Sequence, residues 1–260
     1  MAFLGKTVLI TGATGNVGSS AVKEFLEQGA NVIATSRSKS SLEKLTSKLQ
    51  EISVPTEKLI PIVVDISNDQ ELSKIADQIR DKTLPEIDHV ISSSGPWWKY
   101  DHLYDVTFEQ WNEVMSANVN PHFITYRNFI PFLLNKPGSS YTLVTGASGL
   151  VDVIGNIPSG ITGISQCVLF GISRVARFET KDNAVRFNEL LIGFRIEDDA
   201  TYKKYISEGK FSESSDIVTT SWKFGSIFLS IAKDNNVKGE VIKIMSTTEK
   251  DDFEKVHKFK

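Results

Sequence analysis

The chain has 260 residues, 40% of them hydrophobic and 23% charged, which is enough apolar material for one large α/β domain or two small ones. Its net charge of −3 gives no indication of nucleic acid or an anionic membrane as a partner. The one cysteine, Cys167, excludes an intrachain disulfide and cysteine-based zinc clusters, and no apolar run approaches the roughly 18 residues that span a bilayer.

Short apolar runs typical of buried strands alternate with helical periodicity along the chain. We predict strands at residues 7–10, 31–34, 59–64, 87–92, 141–145, 184–191 and 240–244. Helices are predicted after the first strand as far as Gly29, and at residues 40–51, 69–80, 107–134, 162–177 and 216–232. The alternation predicts a Rossmann-type, doubly wound α/β fold, in which a parallel sheet of about seven strands carries helices on both faces of a single domain.

Local signals refine this outline at two places. Pro61 in the third strand lacks the N–H that a central strand must donate, so we expect that strand at an edge, where the order 3-2-1-4-5-6 also puts it. Thr107 and Gln110 have the spacing of a capping box at the start of a helix, and Pro121 predicts a bend within it.

The first turn of the chain has the composition of a phosphate-binding loop. It runs from Thr11 to Gly18, with the sequence TGATGNVG, between a strand and an amphipathic helix. Glycines there permit a tight turn, let backbone N–H groups approach a pyrophosphate and allow close helix–strand packing. A turn that merely closes a βα unit is the alternative, and matching features downstream disfavour it. The predicted phosphate contacts are Gly12, Thr14, Gly15, Asn16, Val17 and Gly18.

The end of the second predicted strand indicates which dinucleotide binds. An NAD site usually has Asp or Glu about 20 residues beyond the glycines, bonded to the ribose 2′-hydroxyl. Residues 29–42 contain no acid and offer Ser36, Arg37 and Ser38 instead. A guanidinium suits a 2′-phosphate by its charge and forked geometry, so we predict NADP(H).

These features resemble the short-chain dehydrogenase/reductase superfamily over almost the full length of the chain. Thr11, Gly12 and Gly18 match its opening TGxxxGxG motif, although Asn16 replaces the middle glycine. The segment SSSG at 92–95 resembles its NNAG motif, and VRFN at 185–188 with Ile192 and Gly193 resembles its VRVN…PG segment. The resemblance implies dimers or tetramers, an adenine contact at Asp65 beside Ile66, cofactor contacts at Ser94, Gly95, Asn118 and Gly193, and a substrate-orienting hydroxyl at Ser148.

The family's catalytic YxxxK motif is absent, because none of the six tyrosines has a lysine four residues later. In the family, the tyrosine exchanges a proton as hydride moves, and the lysine lowers the tyrosine pKa and holds the nicotinamide ribose. Alignment on the segment GIS at 171–173 puts Thr162 at the tyrosine position and Gln166 at the lysine position. A shift by one gives Ile161 and Ser165. Neither pair combines an acid with an electrostatic activator.

Three functions stay open. The favoured one is an NADP(H)-dependent oxidoreductase that transfers hydride to a carbonyl or imine, with Ser148, Asn118, Thr162 and Gln166 at the catalytic site. Its proton donor is non-standard, and Asp152, His102, Tyr100 and Tyr104 are candidates. The alternatives are an enzyme that uses NADP(H) as a scaffold for a non-redox reaction such as a cyclisation, and a pseudoenzyme that senses NADP(H).

Trp97, Trp98 and Tyr100 follow the fourth predicted strand, at the sheet edge where ligands bind in this fold, and could grip a small aromatic substrate. Packing beneath the loop or an oligomer contact would explain the tryptophans equally well. No His/Cys/Asp cluster is present, so no metal is predicted, and His89 and His122 are expected to be structural.

We assign residues 1–245 to an NADP(H)-binding Rossmann domain with a built-in substrate pocket. Residues 246–260 form a charged C-terminal tail, which we expect to be solvated surface. The expected protein is soluble and cytoplasmic, and its partner is a small-molecule substrate.

Overall fold

The computed structural model describes residues 1–96, 102–150 and 160–257. Parallel strands form the centre of the molecule. They are β1 (Thr7–Thr11), β2 (Asn31–Ser36), β3 (Leu59–Val63), β4 (His89–Ser92), β5 (Ser140–Gly146), β6 (Arg186–Ile192), β7 (Arg195–Glu197), β8 (Val218–Thr220) and β9 (Val241–Ile244). In the described part of the chain, seven of them make one sheet in the order β3-β2-β1-β4-β5-β6-β9, and β7 pairs with β8 separately.

Helices cover both faces of the large sheet. They are α1 (Asn16–Glu27), α2 (Lys39–Glu51), α3 (Asp69–Arg80), α4 (Phe108–Asn118), α5 (Asn120–Phe129), α6 (Gly160–Thr180), α7 (Asp199–Ser207), α8 (Ser221–Phe224), α9 (Ser226–Lys233) and α10 (Thr247–Val256). Side chains of β1 alternate between two apolar layers, with Val8 and Ile10 in one and Leu9 in the other. All three are fully buried, as expected for a strand in the middle of a parallel sheet.

The doubly wound α/β fold predicted from the sequence is confirmed. β3 lies at the edge of the large sheet, with Pro61 opposite Ala34 of β2. The missing N–H of Pro61 therefore leaves no gap inside a central ladder.

The helix predicted over residues 107–134 is two helices. The Thr107 side chain accepts from the Gln110 backbone, and the Gln110 side chain accepts from the Thr107 backbone, so the predicted capping box is confirmed. α4 ends at Asn118, and α5 begins at Asn120 with Pro121 in its first turn. Proline suits a first turn because the N–H that it lacks has no partner there in any helix.

The prediction of one helix over residues 216–232 is wrong at its start. The first residues form β8, which pairs with β7, and helix begins at Ser221. β7, β8 and α7 were not predicted. The two strands have three residues each, too few to show a periodicity, and α7 has no buried residue to give it an apolar face. The junction of α8 and α9 lies tightly on α1, since a Cβ on Gly225 would come 2.3 Å from the Ser20 carbonyl oxygen.

The composition of the charged tail predicts solvated surface, but the structure shows that part of the tail is buried. Residues 247–256 form α10, whose first turn is capped by the Ser246 hydroxyl accepting from the Glu249 N–H. Lys250 is buried and pairs with Glu254, and Phe253 packs against the apolar core. One face of this helix therefore belongs to the core. Across the described ranges, no helix combines the length and apolar character needed to cross a membrane.

Candidate active site

A cleft of about 1160 Å³ lies along the carboxyl edge of the large sheet. This is the edge at which doubly wound folds bind their ligands. Fourteen of the predicted cofactor contacts line the cleft: Gly12, Thr14, Gly15, Asn16, Val17, Gly18, Ser36, Arg37, Ser38, Asp65, Ile66, Ser94, Gly95 and Gly193. Ser148, Thr162 and Gln166 line it too. Asp152, Trp97, Trp98 and Tyr100 lie outside the described residues.

The Gly-rich turn brings backbone against backbone. Gly12 has φ of +70°, and a Cβ there would lie 1.9 Å from the Ser93 carbonyl oxygen. A Cβ on Gly18 would lie 2.2 Å from the Gly12 carbonyl oxygen. The first turn of α1 contains no acid, and its N-cap residue, Gly15, offers no side-chain cap. Gly15, Asn16 and Val17 line the cleft, so the positive end of α1 faces it, an arrangement that suits an anion.

Asn16 has a role that the sequence did not indicate. Its side-chain amide donates to the Ile196 carbonyl oxygen of β7 at 2.9 Å. The amide therefore joins β7 to the Gly-rich turn. No sequence signal could have found this contact, because β7 itself was not predicted.

Polar groups surround the end of β2. The hydroxyls of Thr14 and Ser36 are 3.2 Å apart, and the Ser38 hydroxyl caps α2 by accepting from the Ser41 N–H. Arg37 is exposed and makes no ion pair with any described residue. Asp65 accepts from the Ser67 hydroxyl and backbone through one carboxylate oxygen. The guanidinium at this end of the cleft is therefore free to meet an anionic ligand.

Ser148 lies in a 3-10 turn directly after β5. Beside it, the Gln166 side-chain oxygen accepts from the Gly146 N–H at 2.7 Å. Thr162 and Gln166 line the cleft, whereas Ile161 and Ser165 are fully buried. The cleft therefore contains the pair from the first of the two alignments.

Asn118 is predicted both as a catalytic residue and as a cofactor contact. It is buried at the end of α4 and is not among the residues that line the cleft. Its side-chain N–H donates to the Ser165 hydroxyl at 3.1 Å, and Ser165 donates to the Thr162 carbonyl. Asn118 lies behind Gly95, whose added Cβ would come 3.2 Å from the Asn118 side-chain oxygen. The side chain therefore joins α4 to α6.

The family model of the short chain dehydrogenases matches residues 6–194. The chain belongs to the short-chain dehydrogenase family. A short-chain dehydrogenase/reductase of Pestalotiopsis fici is 31% identical over 192 residues, which is 74% of each chain. The NADPH-dependent pterin aldehyde reductase of Arabidopsis thaliana is 30% identical over 145 residues, or 55% of this chain and 57% of that protein. The solved structure of ElxO with NADP bound has a TM-score of 0.76 at 21% identity, covering 92% of this chain and 96% of that one, and supports the fold.

This short-chain dehydrogenase has one buried and one half-buried carboxyl group that the sequence analysis did not identify. Glu189 of β6 is buried, and the Thr145 hydroxyl donates to it at 2.7 Å. Glu197 of β7 lines the cleft, and burial raises its pKa, partly offset by Arg195 at 3.7 Å. Acidic residues within strands give no periodic signal, which is why neither was predicted.

The two histidines expected to be structural are both buried in hydrogen-bond pairs. His89 contacts the Ser140 hydroxyl at 2.8 Å, and His122 contacts the Ser92 hydroxyl at 2.6 Å. Burial lowers the pKa of His89 to about 3 and that of His122 to about 4. Both rings are therefore neutral near pH 7 in this short-chain dehydrogenase. Within the described ranges, no three His, Cys, Asp or Glu side chains converge as metal ligands would.

Proposed function

We propose that this protein is an NADP(H)-dependent oxidoreductase that transfers hydride to a carbonyl or imine of a small substrate. One observation carries the proposal: a single cleft joins the uncapped N-terminus of α1 to Arg37, at the place where an NAD site has an acid. The cleft fits the cofactor, because Gly12, Gly15 and Gly18 line it at the start of α1 and have no side chain to keep a pyrophosphate away from the backbone.

Each part of the cleft has a proposed task in holding the cofactor. The backbone from Gly12 to Gly18 binds the pyrophosphate, and Arg37 binds the 2′-phosphate with the hydroxyls of Ser36 and Ser38. Asp65 and Ile66 contact the adenine. Ser94, Gly95 and Gly193 complete the cofactor site.

The chemistry divides between the cofactor and the chain. NADPH, when bound, supplies the hydride. Ser148 donates a hydrogen bond to the substrate and orients it. The Gln166 oxygen is already taken by Gly146, so its N–H₂ is left to bind the nicotinamide ribose. An amide carries no charge and cannot lower the pKa of the Thr162 hydroxyl, so Thr162 is not the acid.

The proton donor therefore differs from that of the family. Asp152 is the donor that we propose for a carbonyl substrate. Hydride addition to the carbon of an iminium gives a neutral amine, whereas the oxygen of a reduced carbonyl must take a proton, so the lost tyrosine would matter least for the iminium class. The relatives support the cofactor and the substrate class, since ElxO binds NADP and the Arabidopsis enzyme reduces an aldehyde with NADPH.

The proposal is tested by binding calorimetry with NADPH and NADH. The wild type should prefer NADPH, and Arg37→Ala should remove about 10- to 100-fold of its affinity for NADPH, the loss expected for hydrogen bonds to a charged group. Lys39→Ala is the matched control, because Lys39 is an exposed cation nearby that pairs with Glu43 and does not line the cleft. Equal affinity of the wild type for both cofactors would refute the proposed specificity.

A second candidate is an NADP(H) sensor without turnover. The hydrogen bonds of Gln166 and Asn118 within the protein favour it, because both side chains are engaged in holding the fold together. Incubation with 4-pro-R and 4-pro-S deuterated NADPH and a panel of carbonyls and imines separates the functions. Deuterium in a product indicates an oxidoreductase, and tight binding without turnover indicates a sensor. A product formed equally well with NADP⁺ indicates a non-redox enzyme that uses the cofactor as a scaffold.

We also propose that Trp97, Trp98 and Tyr100 bind an aromatic part of the substrate and that the protein forms dimers or tetramers. Val168, Val175 and Phe178 support the oligomer, since they are exposed apolar side chains on α6. A cytoplasmic location is proposed from the lone thiol of Cys167.

A further inference from the structure

A buried histidine links two residues at the end of β4 to α5. The His122 ring is fully buried, and its Nδ1 lies 2.6 Å from the Ser92 hydroxyl. Its Nε2 lies 2.8 Å from the Ser94 carbonyl oxygen and 3.4 Å from the Ser94 hydroxyl. Ser94 and Gly95 line the cleft, whereas His122 lies behind them.

These partners fix where the ring carries its proton. A carbonyl oxygen only accepts, so Nε2 must carry the hydrogen and donate to Ser94. A neutral ring has one N–H, and Nδ1 therefore accepts from the Ser92 hydroxyl. Both nitrogens are satisfied in this one tautomer.

The hydrogen bond to Ser94 also determines the direction of the next N–H. In a trans peptide the carbonyl and the following N–H point in opposite directions, and no described peptide bond is cis. Because the Ser94 carbonyl is drawn toward His122 on α5, the Gly95 N–H points the other way, toward the cleft. No acceptor for this N–H exists among the described residues. Gly95 has φ of +130°, a conformation that side chains rarely adopt, so a specific backbone geometry is held here.

We propose that His122 is a positioning residue, whose Nε2–H holds the Ser94 carbonyl so that the Gly95 N–H faces the cleft as a donor to the bound dinucleotide. This inference rests on the proposed function, since it needs a nucleotide in the cleft. A purely structural histidine would affect stability and leave the direction of the Gly95 N–H without consequence.

Two substitutions test the two ring nitrogens of His122 separately. His122→Gln puts an amide N–H near the position of Nε2 and can still donate to Ser94. His122→Asn keeps a polar group near Nδ1 and Ser92 but is too short to reach the Ser94 carbonyl. Both replace a buried ring by a smaller amide, so their structural costs are similar. NADP⁺ affinity by calorimetry should stay within about threefold of wild type for Gln and fall about tenfold for Asn, the effect of one hydrogen bond.

A second measurement follows the Gly95 amide itself. In protein labelled with ¹⁵N-glycine, the Gly95 N–H resonance should shift when NADP⁺ is added to the wild type and to His122→Gln, but not to His122→Asn. The wild-type spectrum is informative even if neither variant folds, because an unmoved Gly95 resonance in a protein that binds NADP⁺ overturns the inference.

The remaining outcomes are equally decisive. Equal loss of affinity in both variants, matched by equal drops in the melting temperature of the free proteins, makes His122 structural and overturns the positioning role. Unchanged affinity in His122→Asn does so as well. A wild type that binds neither NADP⁺ nor NADPH overturns the proposed function and the inference with it, which is distinct from every other result.

Discussion

Steric room distinguishes the glycines of the phosphate loop from one another. A Cβ on Gly18 would overlap the Gly12 carbonyl oxygen at 2.2 Å, and this oxygen belongs to the backbone, which cannot simply rotate away. A Cβ on Gly15 would lie 3.5 Å from the same oxygen, which is an ordinary contact, and Gly15 has a φ of −78° that any residue adopts. Gly18 is therefore required by packing, whereas Gly15 is not.

Gly18→Ala should weaken NADPH binding, because forced overpacking costs about 1–3 kcal/mol and shifts the loop, roughly a 5- to 150-fold loss of affinity. Gly15→Ala should bind within about threefold of wild type, since no atom must move. Calorimetry measures both, and circular dichroism checks that each variant is folded. Similar losses in the two variants would contradict this explanation.

The two buried histidines make the free energy of unfolding depend on pH. Burial lowers their pKa values to about 3 for His89 and about 4 for His122, while an unfolded histidine titrates near 6.5. Below pH 6.5 the unfolded chain binds protons that the native state excludes. The stability that they contribute is therefore fully present above pH 6.5 and falls as the pH drops toward 4.

Replacing one of these histidines should make stability less sensitive to acid. We expect His89→Asn to reduce the loss of unfolding free energy between pH 7 and pH 5 by about 1–2 kcal/mol relative to wild type. Urea unfolding at the two pH values measures the change. His102→Gln, at an exposed position, is the control and should leave the wild-type difference intact. An equal pH dependence in wild type and His89→Asn would show that the buried ring is not responsible.

At the scale of elements, a buried arginine connects β6 to the end of α9. Arg186 is 3% exposed, and its guanidinium donates to the carbonyls of Ile231 at 2.8 Å and Ala232 at 2.6 Å. It also donates to the Asp234 carbonyl at 2.9 Å. These carbonyls end a helix and carry the negative end of its dipole, so a cation there is favourable. The arginine fixes α9 against the sheet.

Arg186→Ala should lower the free energy of unfolding by about 3 kcal/mol, because several buried carbonyls lose a charged donor. Arg186→Lys should recover only part of this, since an ammonium cannot reproduce the fork of donors. Denaturant unfolding measures both variants. Lys44→Ala on the exposed side of α2 is the control and should change stability by less than about 0.5 kcal/mol. A loss of that small size in Arg186→Ala would contradict the role.

At the scale of the whole molecule, the outer face of α6 carries three exposed apolar side chains, although the inner face of the helix is buried. Val168, Val175 and Phe178 are 40%, 56% and 69% exposed, and their spacing puts them on one side of the helix. Contiguous exposed apolar side chains are typical of interaction surfaces. A second copy of the chain is the occupant that we propose for this face.

The double substitution Val175→Asp and Phe178→Asp should convert an oligomer into monomers, because buried unpaired carboxylates oppose association. Light scattering after size-exclusion chromatography measures the mass. Lys203→Asp, on the exposed side of α7, changes the charge elsewhere and should leave the mass unaltered. A monomeric wild type, or an unchanged mass in the double variant, would contradict the proposed interface.

Sequence patterns predicted those parts of the fold that depend on neighbours along the chain. Strand runs, helical periodicity, the capping box at Thr107 and the edge position of Pro61 are local properties, and each is present in the structure. β7 and β8 escaped prediction because each has three residues and gains its hydrogen bonds from a partner more than 20 residues away. α10 was not predicted because most of its residues are charged, and only one face of the helix is buried.

The sequence by itself determined the family, the doubly wound sheet and many of the residues that line the cleft, since the carboxyl ends of parallel strands converge at one edge. Tertiary structure decided what each side chain does there. It placed Asn118 behind the cleft, chose Thr162 and Gln166 over Ile161 and Ser165, and bonded Asn16 to a carbonyl 180 residues away. Such contacts depend on how separate elements pack, and no local pattern encodes that packing.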